Sequence, residues 1–308
     1  MASETSSGGP GQNVLQRWAE RSIRNPERVY RAMFYVAAVF FLFTTLFPFY
    51  WLVVLAVTPN DLIVNMGLAP RGFNVEAFVT LFERLPLHRY MLNSFIIAMI
   101  TTCIVLVLGS LAGYAFGRIE FKGRRPLMLA VLAVSYFPPA AFLLPLFRLF
   151  TGNVSLFGVS SPVVFNTPGA LVTPMTALFM PLSIFILTTF YSQIPDGLED
   201  AARVEGTTRL GALFRVIVPL SAPGVATAGI MTFISVYNEF FFSFMMTDGQ
   251  VSNWAPIVFG ILGYQGQYSQ FYNLMAAASI VGVLPVVILV IVAQERIVSG
   301  LTSGALKE

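Results

Sequence analysis

Four carboxylates stand where they could do something specific. Asp196, Glu199 and Asp200 lie within one short stretch of the run SQIPDGLEDAARVEGTTRLGALFRVIVPLSAPG, from Ser192 to Gly224, and Glu239 stands alone between Arg215 and Asp248. In the first run, Asp196 at a helix start with Glu199 three positions on forms a capping box, and acids in that first turn complement the helix dipole. Gly206 ends the helix as a C′ glycine. Thr207 or Thr208 then caps a second short helix through Phe214, and Pro219 marks the start of the next apolar segment. The expected product is a helix–Gly–helix elbow in which Ala201 and Ala202 leave room for close contact. Such an elbow can make close contact with a neighbour but holds no reaction centre. A solvated connector with well-formed caps has the same spacing, so the residues alone leave both readings open.

Reactive chemistry is otherwise missing. No G-x-x-x-x-G-K-[ST] loop is present to cradle nucleotide phosphates, and no G-x-S-x-G elbow accompanies the single histidine, His88. One histidine and one cysteine, Cys103, leave no zinc or haem constellation and no intrachain disulfide. None of Asp61, Asp196 and Asp248 falls mid-span, so an intramembrane aspartyl dyad is excluded. Neither a catalytic residue nor a metal site is assigned to this chain.

The elements that must carry the elbow are set by composition. Of 308 residues 56% are hydrophobic, 14% aromatic and only 11% charged, with a mean hydropathy of +0.75; soluble domains carry about 25% charged residues. Long charge-free gaps run from Arg31 to Asp61, Arg89 to Arg118, Arg125 to Arg148, Arg148 to Asp196, Arg215 to Glu239 and Asp248 to Glu295. Each exceeds the roughly 20 residues that cross a bilayer, and the runs are continuous rather than alternating, which excludes a barrel. The fold class is an all-α polytopic membrane protein of six transmembrane helices: Ala32 to Val57, Met91 to Gly117, Pro126 to Phe147, Gly169 to Tyr191, Pro223 to Thr247 and Tyr272 to Ala293.

Fourteen Lys and Arg fall in the two tails and the even-numbered connections, against four in the alternate loops, so both termini are expected in the cytoplasm. The net charge of +3 follows from topology and calls for no nucleic acid. The chain divides into a tail at 1–31, a first helix at 32–57, a core at 91–293 holding the loop at 192–219, and a tail at 294–308. The first apolar run is too long, and too far from the start, for a cleaved signal peptide. In the tail before it, Val14, Leu15, Trp18, Ile23 and Tyr30 interleave with Arg17, Arg21, Arg24, Arg28 and Arg31, a pattern open to an interfacial helix or to a solvated segment.

Within the spans, Gly109, Gly113 and Gly117 clear one helix face at every fourth position, for close packing or, alternatively, a pore lining. Prolines at 48, 138, 139, 145, 174, 181 and 285 predict kinks. Glu239 costs at least about 2.5 kcal/mol near a span's centre, so with Tyr237 and Asn238 it is expected to face a translocation path. The structural alternative is a bond to a neighbouring helix or a reach to the interface.

The Ser192–Gly224 loop resembles the EAA signature of binding-protein-dependent ABC importer permeases: EAA, three residues, Gly, nine residues, then I-x-L-P. Asp200-Ala201-Ala202, Gly206 and Val216-Ile217-Val218-Pro219 fall on those positions without a gap. Asp stands for the usual Glu, with Glu199 beside it, and Val replaces both aliphatic residues. From about Phe34 onward the chain is similar to the MalG-like carbohydrate permeases, through PLFRLF (Pro145 to Phe150), YNEF (Tyr237 to Phe240), Leu284-Pro285 and GLTSGALKE (Gly300 to Glu308). The loop from Thr151 to Pro168 is longer than in that group.

The resemblance implies a type I ABC importer permease fold in a bacterial or archaeal inner membrane. Its implied partners are a second, different permease chain, a cytoplasmic ABC ATPase dimer that binds the ATP and Mg, an extracytoplasmic substrate-binding protein and a small-molecule solute, a sugar or sugar-like one. This chain itself holds no cofactor. Glu199, Asp200, Ala201, Ala202 and Gly206 would couple to the ATPase, with Asp200 and Glu199 pairing with a basic residue there. Rival readings are a permease for an amino acid, peptide or phosphate, and an ion-coupled secondary transporter; the latter usually buries several ionisable groups, and only Glu239 is offered.

Overall fold

A computed structural model describes residues 26–266 and 270–305, and the side chains among them except Pro26, Leu156 and 295–305. The basic and apolar residues of the tail before Pro26, and Leu306 to Glu308, lie outside the described residues. The described residues are mostly helical. In order come α1 (Pro26–Val57), α2 (Ala77–Arg84), α3 (Leu87–Arg118), α4 (Arg124–Ser135), α5 (Ala140–Phe150), α6 (Pro168–Tyr191), α7 (Asp196–Val204), α8 (Arg209–Leu220), α9 (Ala222–Tyr237), α10 (Phe241–Met246), α11 (Ile257–Leu262) and α12 (Tyr272–Ala305). One two-stranded hairpin, β1 (Ser155–Leu156) against β2 (Val159–Ser160), lies in the long loop before α6. Its turn residues Phe157 and Gly158 both have positive φ, 52° and 82°, as a tight two-residue hairpin requires.

Among the described residues four helices, α1, α3, α6 and α12, are each long and apolar enough to cross a membrane, and two bent pairs, α4 with α5 and α8 with α9, are so if each pair is one span. The expected third helix, Pro126 to Phe147, is bent at its prolines as the sequence predicts, but by 87°, enough to break it into two helices. Pro138 and Pro139 supply the reason: neither has an N–H to donate, and each disfavours helical backbone at the residue before it. The fifth helix, expected from Pro223 to Thr247, stops at Tyr237 and restarts at Phe241. Its start is a corner of 85° at Ser221, between Pro219 and Pro223. Single prolines at 48, 145, 174, 181 and 285 sit inside continuous helices.

The glycine stripe of α3 is a packing device, not a pore lining. A Cβ on Gly113 would lie 2.9 Å from Leu187 Cβ and 3.2 Å from the Thr188 nitrogen, and one on Gly117 would lie 3.2 Å from the Thr188 oxygen. The backbones of α3 and α6 thus come together where a side chain would hold them apart. Two buried clusters result. The larger joins the first halves of α3 and α6 to α2, α9, α10 and α12 through Leu81, Leu87, Ile97, Leu171, Met175 and Met246. The smaller joins the last turns of α3 and α6 to α8 through Tyr114, Leu187, Tyr191, Leu213 and Ile217.

Helix α1 packs on α12; Val54 and Ala56 near its end are buried, and most of its earlier residues are exposed among the described residues. At the end of the bundle away from the elbow, Asn166 takes the Asp248 N–H at 2.8 Å and donates to the Asp248 carboxylate at 3.0 Å, tying the loop before α6 to the one after α10.

Candidate functional site

The elbow forms, but its first turn is built differently from a capping box. Pro195 is the N-cap of α7 and no side chain caps the helix. Asp196, 90% exposed, points its carboxylate at Arg118 Nη1, 2.9 Å away. Glu199 is the larger correction: it is not available to a partner's basic residue, because it is 8% exposed and accepts hydrogen bonds from Arg118 Nε at 3.0 Å and from the Tyr114 hydroxyl. A carboxylate beside a guanidinium and a phenol already in its reach turns inward, since a charge-assisted, fully partnered pair is the one arrangement that compensates its burial.

The outward face belongs to other residues. Asp200, one position on and so about 100° around the helix, is exposed, with Arg203 4.0 Å away. Ala201 is exposed, and Ala202 is half-buried. Leu198 and Val204 are exposed beside them, Val204 to 88%. Leu210 and Phe214 on α8 are likewise exposed. This apolar strip, with Asp200 beside it and Glu205 also exposed at its end, was not legible from the motif, which marks the alanines and the acid but not their neighbours.

Gly206 has φ +91° and closes α7 by two bonds, its own N–H to the Arg203 carbonyl at 3.0 Å and the Thr207 N–H to the Ala202 carbonyl at 3.1 Å. That is the double-bonded Schellman end. A Cβ at 206 would meet nothing within 4 Å, so glycine is needed for its backbone angle and not for space. Thr208 caps α8, its hydroxyl accepting from the Gly211 N–H at 3.1 Å. Helix α8 widens into a π turn at Leu213–Ile217, a device often found at functional positions. Leu213 and Ile217 are wholly buried there under Tyr114, Leu187 and Tyr191.

The second expected site separates into parts. Tyr237 is buried and donates its hydroxyl to the Gly282 carbonyl of α12 at 2.8 Å. Glu239 is 8% exposed, and its two carboxylate oxygens accept the Phe242 and Ser243 N–H groups, each at 3.0 Å. It therefore holds the start of α10, where orphan backbone donors favour an anion. Of the three residues only Asn238 is exposed, and its amide reaches back to the Ile234 carbonyl at 3.0 Å. A groove of about 670 Å³ between α3, α9 and α12 is lined by Phe95, Met99, Phe233, Pro285 and other apolar groups. Among the described residues no group of three His, Cys, Asp or Glu could hold a metal ion.

Sequence reasoning missed Arg118 and Tyr114. A phenol and a cation four residues apart on one helix face, at the end of an apolar run, were the available signal.

Residues 105–301 match the family model described as "Binding-protein-dependent transport system inner membrane component". The chain is 36% identical over 275 residues to the sulfoquinovosyl glycerol transport system permease protein SmoH of Agrobacterium fabrum, covering 89% of this chain and 93% of that one. It is 34% identical over 280 residues to the trehalose/maltose transport system permease protein MalG of Thermococcus litoralis, covering 90% and 97%. In fold it is similar to a chain of a crystallised bacterial alginate ABC transporter in complex with an alginate pentasaccharide-bound periplasmic protein, with a TM-score of 0.67, 16% identity and coverage of 89% and 94%.

Proposed function

This chain belongs to the inner-membrane components of binding-protein-dependent transport systems, and from that premise we propose that it is one permease half of an ATP-driven importer for a sugar or sugar-like solute. A second, different permease completes the path, an extracytoplasmic binding protein delivers the solute, and two ATPase subunits, which hold the ATP and Mg, dock on the cytoplasmic elbows. Both termini lie in the cytoplasm in this reading, on the side favoured by the Lys and Arg bias.

The observation that carries the reading is the division of α7 into two faces. Its inner face is bonded to the bundle through Glu199, and its outer face presents Asp200, Leu198, Ala201 and Val204 uncovered. A surface of exposed apolar groups with Asp200 among them and Glu205 exposed at its end suits a groove with an apolar floor and basic residues beside it. Coupling then follows mechanically. ATP binding closes the ATPase dimer, the docked elbows move with it, and the two bundles rock between inward-open and outward-open states.

The relatives' sugars support the solute class, and Asn238, exposed at the break between α9 and α10, is the residue of this chain best placed to meet it. The test is purification in mild detergent with identification of the co-purifying chains, followed by reconstitution with the binding protein. Uptake of labelled trehalose, maltose or sulfoquinovosyl glycerol that requires ATP and the binding protein is expected. ATP hydrolysis by the lone chain, or uptake indifferent to ATP, would overturn the proposal.

A further inference from the structure

Arg118 ends α3 with its side chain only 4% exposed, and it spends its donors on one neighbouring segment. Nε reaches Glu199 Oε2 at 3.0 Å, while Nη1 reaches Asp196 Oδ1 at 2.9 Å and the Ile194 carbonyl at 2.5 Å. Tyr114, one turn earlier on the same face, donates to Glu199 Oε1. A connector that merely joined two spans would have no use for a buried ion pair, because desolvating two charges costs more than their attraction returns unless the set is fully bonded. Here Nε and Nη1 of Arg118, both carboxylate oxygens of Glu199 and the Tyr114 hydroxyl are each bonded, and they join α7 to the end of α3.

The end of α3 is itself fixed to α6. Gly113 and Gly117 bring the two backbones together at Leu187, Thr188 and Tyr191, and the buried Tyr191 hydroxyl donates to Ser110 at 2.9 Å. The last turns of α3 and α6 therefore form one body, to which Arg118 and Tyr114 bind α7. Beyond α7 the chain has two places to bend, the left-handed Gly206 and the 85° corner between α8 and α9. Without a fastening on the inner face, a displacement applied to the outer face of α7 would be taken up at those two points.

We propose that Arg118, aided by Tyr114, is a positioning residue that clamps the coupling helix to the α3–α6 pair, so that motion of the docked ATPase is delivered to those two spans. This rests on the reading of the elbow as the ATPase dock. The clamp acts through Glu199 and touches neither nucleotide nor solute.

The experiment uses the whole complex, both permeases with the ATPase and binding protein, in proteoliposomes, and reads ATP consumed per solute imported. Arg118→Gln removes the cation. Glu199→Gln keeps the shape and an acceptor for Tyr114 while removing the charge. A coupling free energy of ordinary size predicts a rise of about tenfold in ATP per solute for Arg118→Gln and a smaller rise for Glu199→Gln, with the ATPase still co-purifying. If Arg118→Gln does not assemble, Glu199→Gln decides. Unchanged ATP per solute in the assembled variants overturns the clamp, as does loss of assembly in both with an unchanged ratio in what remains, since that is the behaviour of a purely structural pair. A wild-type complex that neither binds an ATPase nor imports would fail the proposed function and the clamp together, whereas a working wild type with unchanged variants fails the clamp alone.

Discussion

Replacing Gly206 separates backbone conformation from bulk at the elbow. Its φ of +91° costs an L-residue about 1–2 kcal/mol, while the absence of any atom within 4 Å of a Cβ placed there means that no clash adds to this. Gly206→Ala also stiffens the unfolded chain, which returns a few tenths of a kcal/mol, leaving about 1 kcal/mol against the elbow. At 1.4 kcal/mol per factor of ten, the formed elbow loses roughly fivefold in population relative to frayed forms. Gly206→Asn should cost less, since Asn tolerates the left-handed region. Gly206→Asp shares that tolerance but adds a carboxylate at a helix C-terminus that opposes the dipole by ~0.3–1 kcal/mol, so it should cost more than Asn.

The assay is binding-protein-dependent uptake in proteoliposomes, paired with amide exchange at Thr207, whose N–H bonds the Ala202 carbonyl at 3.1 Å. Uptake and protection should fall together from Gly to Asn and further from Asn to Ala and from Asn to Asp, with insertion of the chain unaffected. Equal damage from Asn and Ala would refute the conformational argument, and wild-type uptake in Gly206→Ala would remove the glycine's role altogether.

Gly113→Leu should act by bulk instead: with Leu187 Cβ only 2.9 Å from the new Cβ, overpacking of the α3–α6 contact by about 1–3 kcal/mol should lower the melting temperature of the detergent-purified protein. Glu239→Leu strips the acceptors from two buried N–H groups at about 1–3 kcal/mol each, so thermal stability should drop sharply, while Glu239→Gln, which keeps one acceptor, should stay closer to wild type; equal melting of the two would deny the capping role. Asp248 is subject to slight burial, which works to raise its pKa, but hydrogen bonds from Gln250, Asn253 and Asn166 outweigh it and hold the carboxyl below its usual value. Its contribution is therefore present above the unfolded carboxyl pKa and lost as pH falls through the lower folded one, and the protection of the Gln250 amide relative to its intrinsic exchange rate should fall over that acidic window in wild type but show no such step in Asp248→Asn. Single cysteines at Ser155 and Ser252 should react with an impermeant thiol reagent on intact cells and one at Ser303 should not; labelling at 303 from outside would reverse the proposed orientation.

Much of the architecture is legible without coordinates because a bilayer imposes a simple rule. Charge-free runs of adequate length must become helices, as lipid leaves no other way to satisfy the backbone, and α1, α3, α6 and α12 answer to that rule alone. Local chemistry is equally readable where it involves only neighbours in the chain: Gly206 as a left-handed helix end, Thr208 as a cap, and Gly113 and Gly117 as a cleared face each depend on residues within a turn or on the mere absence of a side chain.

What the chain could not disclose by itself is which partner each polar group takes from far away. Glu199 lies 81 positions from Arg118, and only the close approach of α3 to α6 brings the guanidinium under the elbow, turning a carboxylate that the motif places at a partner's surface into an internal bond. Glu239 reads as a mid-span charge until α9 is seen to stop at Asn238, after which the same carboxylate is a helix start. Composition and periodicity determine that these spans and this elbow exist, because burial of apolar groups and backbone satisfaction act residue by residue. Which face of the elbow is free and which is held is decided by tertiary packing, because a buried charge goes to the best-bonded site within reach, and that site is assembled from distant segments.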